Sequence, residues 1–208
     1  MEFAIWAPLY RDICDDFGFD SHEDIKAANL LNSLIGTQAS TPCILKECIT
    51  ACQVTICGAG PSLEENIDRI DGTIITADEA TSIVMDYQLP DIIVTDLDGN
   101  VEDQITANQE GCFVVILAHG DNMDALRRYA PCFPGPFVLT TQAKPLDRVF
   151  NFGGFTDGDR AYLMAKQFGA DTIQLLGFDF DTPRPKKGKN QDTKRRKLLW
   201  AHRLIEYY

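Results

Sequence analysis

Ile92-Ile93-Val94-Thr95-Asp96-Leu97-Asp98-Gly99 runs from three β-branched aliphatic residues and a threonine straight into two acids and a glycine. The first four residues show no alternation of apolar and polar side chains. They read as a strand buried on both faces, which requires a sheet covered by helices on each side. The acids and the glycine mark a turn at the carboxyl end of that strand. The same cadence recurs upstream at Val54-Thr55-Ile56-Cys57 and Thr73-Ile74-Ile75-Thr76. Downstream it returns at Phe113-Val114-Val115-Ile116-Leu117, Phe137-Val138-Leu139-Thr140 and Ile173-Gln174-Leu175-Leu176. Helical segments are expected between the strands at 62–70, 79–88, 122–129 and 157–168. A closing amphipathic helix is expected from about Thr193, with Leu198, Ala201 and Ile205 inward. This alternation predicts an α/β fold with a doubly wound, mostly parallel sheet and helices on both faces. Residues 1–46 read as helical, with Ser21 before His22-Glu23-Asp24 and with Ile25, Ala28, Leu31 and Ile35 at helical spacing. They are expected to form a small helical N-terminal cap on a main α/β domain of residues 47–208.

Composition narrows the function classes. The 208 residues are 45% hydrophobic and 24% charged, ordinary for a folded domain with a core of its own. The net charge of −12 is unevenly spread. Residues 1–181 carry 10 Lys and Arg against 29 Asp and Glu; residues 182–208 carry 9 against 2. An acidic body repels a nucleic-acid backbone, so small-molecule partners are expected and nucleic acid is not. No apolar run approaches the roughly 20 residues that span a bilayer. The opening Met-Glu-Phe-Ala-Ile-Trp-Ala-Pro lacks the pattern of a secretory signal. Seven cysteines, an odd number with no CxxC pair, read as small buried hydrophobes in a reducing compartment. The expected location is cytoplasmic, without a membrane partner; a homodimer is compatible with all of this.

Ligands of open α/β sheets bind outside the carboxyl ends of the strands, and nearly every strand here ends in Asp, Gly, Thr or Asn. Gly58-Ala59-Gly60-Pro61-Ser62 is expected to turn free backbone N–H groups toward an anion at a helix start; a plain tight turn is the alternative. Asp78 follows the next strand. Asp96 and Asp98, two residues apart on an extended strand end, are expected to point the same way about 6.5 Å apart, a spacing that two hard carboxylates can use to share Mg²⁺. A surface type I turn would place the same residues without a metal. Asp121, or Asp124 one turn later, completes the cluster, with Asn122 beside it. His119 is a general base or a hydrogen-bonded structural histidine. Thr156-Asp157-Gly158-Asp159-Arg160 reads as a helix start, with Arg160 aimed at a phosphoryl group or else paired to its neighbouring acids. The basic run Pro183-Arg184-Pro185-Lys186-Lys187-Gly188-Lys189 is expected to be an exposed loop, either closing over phosphates or simply solvated.

Gly58-Ala59-Gly60-Pro61-Ser62-Leu63, Thr95-Asp96-Leu97-Asp98-Gly99, Ala118-His119-Gly120-Asp121-Asn122 and the run from Asn151 to Arg160 resemble the archaeal 6-hydroxymethyl-7,8-dihydropterin diphosphokinase family, over roughly residues 50–205. That family is similar in fold to thiamine pyrophosphokinase. There a Gly-Asp-Phe-Asp-Ser segment and a later Asp-x-Thr-Asp hold magnesium. Asp121-Asn122-Met123-Asp124 resembles the latter with Met in place of Thr. The resemblance implies a diphosphokinase domain at 47–208 with ATP as co-substrate and Mg²⁺ as cofactor, in methanopterin or folate biosynthesis. The pterin's hydroxymethyl oxygen would attack the β-phosphorus and AMP would leave. On this reading Asp96, Asp98 and Arg160 are catalytic, and Asp96, Asp98 and Asp121 hold the metal. Gly58, Gly60, Pro61, Ser62, Asp78, Asn122 and Asp157 bind the nucleotide, while Thr141, Gln142, Asn151 and Phe155 bind the pterin. Arg160 and the basic segment from Lys194 to Lys197 offset the remaining charge. A nucleotide-sugar glycosyltransferase and a non-catalytic nucleotide-binding module are the alternative readings of the same acids.

Overall fold

The helices of the chain are α1 (Phe3–Phe17), α2 (Ser21–Ile35), α3 (Pro42–Ile49), α4 (Ala80–Met85), α5 (Val101–Gln109), α6 (Met123–Tyr129), α7 (Asp157–Gln167) and α8 (Gln191–Tyr207) in a computed structural model that describes residues 1–182 and 190–208. The strands are β1 (Gln53–Cys57), β2 (Thr73–Ala77), β3 (Ile92–Thr95), β4 (Phe113–Ala118), β5 (Phe137–Thr141), β6 (Val149–Phe150) and β7 (Thr172–Leu176). All pair in parallel in the order β6-β5-β4-β3-β2-β1-β7. The six expected strands form within a residue of their expected bounds. The segment expected as a helix at 62–70 is a 3-10 helix, Pro61–Arg69. The basic run at 183–189 lies outside the described residues. Among the described residues no helix is long and apolar enough to cross a membrane.

Each central strand sends alternate side chains to opposite faces, and both faces are apolar. Ile93, Val114, Ile116 and Leu139 face α2, α5 and α6. Ile92, Val94, Val115 and Val138 face α3 and α7. α2 contributes Ala27, Ala28, Leu31 and Ile35 to the first core, and α3 contributes Leu45 and Ile49 to the second. The face of α2 is thus rotated slightly from the sequence expectation, and Ile25 is exposed. Each fully buried Leu or Ile contributes about 1.5–3 kcal/mol relative to exposure, so both sets of helices are tied to the sheet. α1 and α8 pack together outside α7 through Trp6, Ile13, Leu163 and Leu204.

One consequence of this strand order positions the site. From β1 the chain enters the 3-10 helix on the α4 face, where Leu63 meets Ala80 and Val84. From β7 it passes to α8, which packs on α7 across the sheet. Connections leaving adjacent strands toward opposite faces open a crevice between them at the carboxyl edge.

Candidate active site at the strand ends

That crevice is a cavity of about 390 Å³ between the β1 and β7 loops, floored by Asp78, Asp96 and Asp157 and walled by Lys194, Lys197 and Phe178. Gly60 is required by close approach: a Cβ there would overlap Gly177 O and Asp179 Oδ2. The sequence had suggested loop amides free to face an anion, but those of Gly58, Gly60 and Ser62 are taken up within the fold. Gly58 N donates to Leu176 O and Gly60 N to Gly177 O, each at 2.8 Å. Ser62 donates to Asp179 Oδ2 from N at 2.9 Å and from Oγ at 2.8 Å. The adjacent β7 loop competes for these donors because Gly177, at φ 69°, turns it back over the glycines. Gly58 and Gly60 line the cavity; Pro61 and Ser62 stand behind it.

Asp78, Asp96 and Asp157 converge, with one oxygen of each within 4.8 Å of the others. Asp78 follows β2 at φ 43°, a conformation that costs a non-glycine residue energy and is held only by its surroundings. Its Oδ1 accepts from Thr95 Oγ1 at 2.9 Å, Gly99 N at 3.1 Å and Gln104 Nε2 at 3.0 Å. Asp96 follows β3, with its Oδ1 accepting Asp98 N at 3.1 Å and its Oδ2 3.3 Å from His119 Nε2. Asp157 opens α7, and its Oδ1 is buried without a hydrogen-bond partner among the described residues. Burial raises the Asp157 carboxyl well above its ordinary range, and the charges of Asp96 and Asp78 add to this against Arg160. Burial would raise Asp96 too, but the hydrogen bond from His119, the charge of Lys197 and the Asp98 amide hold it below its usual value. Three converging carboxylates with an orphaned buried oxygen form a donor set suited to a hard divalent cation, which relieves their repulsion.

A second cavity, about 500 Å³, opens on the other side of Asp96 and Asp157. Asp20, Glu23 and Asp24 of the α2 start line it, with Asp121 from the β4 loop and Phe19 and Phe155. Asp24 ties this wall together, accepting Gly120 N and the Tyr10 hydroxyl at 2.7 Å each. Asp96, Thr156, Asp157 and Lys197 line both cavities.

The other expected residues divide between lining and support. Leu97 at φ 64° turns the chain after β3, so Asp96 and Asp98 do not lie on one extended strand end. Asp98 lines the first cavity and Asp121 the second, both outside the three-acid cluster. Gln142 and Phe155 line the second cavity. Thr141 is buried in β5, and Asn151 Nδ2 donates to Gln142 O and Ala143 O at 2.9 Å, so both brace the wall. Asn122 Nδ2 binds Asp96 O and Leu117 O at 2.8 Å, joining the β3 and β4 ends. Arg160 is fully buried and lines neither cavity; its guanidinium donates to Gly153 O at 3.0 Å and Gly154 O at 2.8 Å. Asp159 is also buried, capping α7 through the amides of Phe155 and Thr156. Sequence reasoning missed Gln104, which sits on a helix too polar to announce itself, and Phe19, from the α1–α2 turn. It named Asp78 and Asp157 without grouping them with Asp96; acids directly after β2 and β3 and at the α7 start were the available signal.

Known proteins place this architecture. Residues 28–184 match the family model described as 6-hydroxymethylpterin diphosphokinase MptE-like. The chain is 41% identical to a 6-hydroxymethyl-7,8-dihydropterin pyrophosphokinase of Methanothermobacter thermautotrophicus, covering all of this chain and 95% of that protein. It is likewise 41% identical to the protein of that name from Pyrococcus furiosus, covering all of this chain and 94% of its relative. The corresponding Methanocaldococcus jannaschii protein is 34% identical over all of this chain and 95% of its own length. With a full-length match at this identity, and a family model spanning most of the fold, the chain belongs to the 6-hydroxymethylpterin diphosphokinase MptE-like family.

Proposed function

We propose that the chain is an ATP- and Mg²⁺-dependent 6-hydroxymethyl-7,8-dihydropterin diphosphokinase serving methanopterin or folate biosynthesis. The observation that carries this reading is the convergence of Asp78 with Asp96 and Asp157, the last two of which line both of two separate cavities. A bimolecular group transfer needs two seats with the reacting centre between them.

The first cavity suits the nucleotide. It offers Lys194 to phosphates and the apolar surfaces of Phe178, Leu198 and Ala201 to a nucleoside. The second repels a polyphosphate through Asp20, Glu23, Asp24 and Asp121. It suits an uncharged bicyclic ring whose N–H and amino groups seek acceptors, and Gln142 and Phe155 lie on its wall. The acceptor's hydroxymethyl oxygen bonds to the β-phosphorus as the bond from that phosphorus to the α–β bridging oxygen breaks. The bridging oxygen leaves with AMP, and the hydroxyl proton passes to water. Asp78, Asp96 and Asp157 would hold Mg²⁺, which would supply charge neutralisation on the transferring group. Asp98 lines the first cavity and Asp121 the second, both outside the three-acid cluster. Arg160, behind the site, fixes the Gly153-Gly154 turn from which α7 presents Asp157.

Phosphorus NMR of a mixture with ATP, Mg²⁺ and the hydroxymethyl-dihydropterin tests the reading. AMP and a diphosphorylated pterin in equal amounts are expected. ADP in place of AMP, or ATP left intact, would contradict it.

A further inference from the structure

Lys197 is, among the described residues, the one lysine or arginine that lines both cavities. We propose that it is a catalytic residue of the transfer, binding the diphosphoryl group while that group passes from one cavity to the other. The inference rests on the diphosphokinase reading and adds a residue role to it.

Three features carry it. The ammonium lies 5.8 Å from the Phe19 ring centre and 5.5 Å from that of Phe155, so aromatic faces hold the cation. Such faces stabilise a cation without taking up its N–H donors. Secondly, the helix that carries it is pinned by its neighbours. Arg196 donates to Asp16 O at 2.6 Å and Asp16 Oδ1 at 2.9 Å, and Trp200 Nε1 donates to Asp16 Oδ2 at 2.8 Å. Ala201 and Leu204 are buried beneath. The ammonium is thus placed by packing before any ligand arrives, which is the condition for electrostatic stabilisation without reorganisation. Lastly, the need is specific. A group in transit between ATP and an alcohol spreads negative charge over its equatorial oxygens, and the floor beneath is three carboxylates. A metal would offset those, and the Lys197 ammonium would offset charge on the group in transit. Lys194, one turn earlier, lines only the nucleotide's cavity, so the two lysines have different duties. Lys194 meets ground-state phosphates, and Lys197 meets the phosphate that moves.

The competing role is structural, with Lys197 merely laying α8 onto Phe19 and Phe155. K197M keeps the apolar stem and its ring contacts and removes the charge; K197Q does the same with a polar tip. The expected result for both is a Tm within about 3 °C of wild type. AMP release should fall at least about 100-fold, the scale of a lost oxyanion-type contact. The Kd for α,β-methylene-ATP, which cannot undergo the transfer, should stay within about threefold. That split is one a packing role does not produce. A kcat within about threefold of wild type in either folded variant overturns the assignment, and so does a loss of rate matched by an equal loss of analogue binding. Wild-type enzyme that releases no AMP overturns the diphosphokinase reading itself, which the variant-to-wild-type ratio does not test.

Discussion

His119 Nε2 stands 3.3 Å from Asp96 Oδ2, while its Nδ1 accepts the backbone N–H of Asp121 at 3.3 Å. An accepting Nδ1 puts the ring proton on Nε2, so the neutral imidazole donates to Asp96 and fixes the carboxylate's orientation. His119 is therefore a positioning residue. H119A is expected to weaken divalent-cation affinity about 10- to 100-fold, with kcat partly restored at high Mg²⁺. A kcat loss that no Mg²⁺ concentration relieves, with metal affinity unchanged, would mark His119 as a general base.

Asp157 gives the site a pH signature in metal-free protein. Its carboxyl is raised above the ordinary range by burial and then by Asp96 and Asp78. The folded protein therefore holds a proton that the unfolded chain releases. The stability this contributes is present below the unfolded value and is lost as pH rises through the raised folded value. D157N removes that loss. In EDTA the Tm of D157N minus that of wild type should become more positive between about pH 5 and pH 8. Adding Mg²⁺ should stabilise wild type more than D157N. A difference indifferent to both pH and Mg²⁺ would remove Asp157 from the cation site.

Arg160 holds two carbonyls, Gly153 O and Gly154 O, with a planar fork that lysine lacks. R160K is expected to cost about 2 kcal/mol, a Tm drop of roughly 4–8 °C at this chain length. Well below that Tm, kcat should remain within about tenfold. An unchanged Tm with kcat down about 100-fold would instead put Arg160 on the transferred phosphate, the role its sequence context had suggested.

Ser62 separates a phosphate contact from a loop clasp. Because its N–H and Oγ–H both go to Asp179, S62A should cost about 1 kcal/mol of stability and leave the KM for ATP unchanged. A KM increase of tenfold or more at unaltered stability would return the hydroxyl to the nucleotide.

Much of the fold is legible because both faces of the sheet are buried, which makes each central strand an unbroken apolar run. β6 is not, since two residues, Val149 and Phe150, offer no pattern. α5 is not, because half of its buried positions, Gln104 and Asn108, are polar. Gln104 serves Asp78 and Asn108 braces the Pro136 and Cys112 carbonyls, so these residues answer to their partners and not to a periodicity. At the site, Asp96 is legible from its strand alone. Its grouping with Asp78 and Asp157 depends on strand order and on the α7 crossover, which no local spacing encodes. The left-handed turn at Leu97 separates Asp98 from Asp96, whereas an extended strand would have kept them together.

Manganese binding followed by electron paramagnetic resonance puts the three-acid cluster to the most direct test. D78N, D96N and D157N are each expected to weaken Mn²⁺ at least about tenfold, as removal of a ligand or its support does. D98N and D121N should stay within about threefold of wild type. Mn²⁺ affinity that survives D78N and D157N but collapses in D98N or D121N would contradict the account and place the cation on the β3 and β4 loops instead.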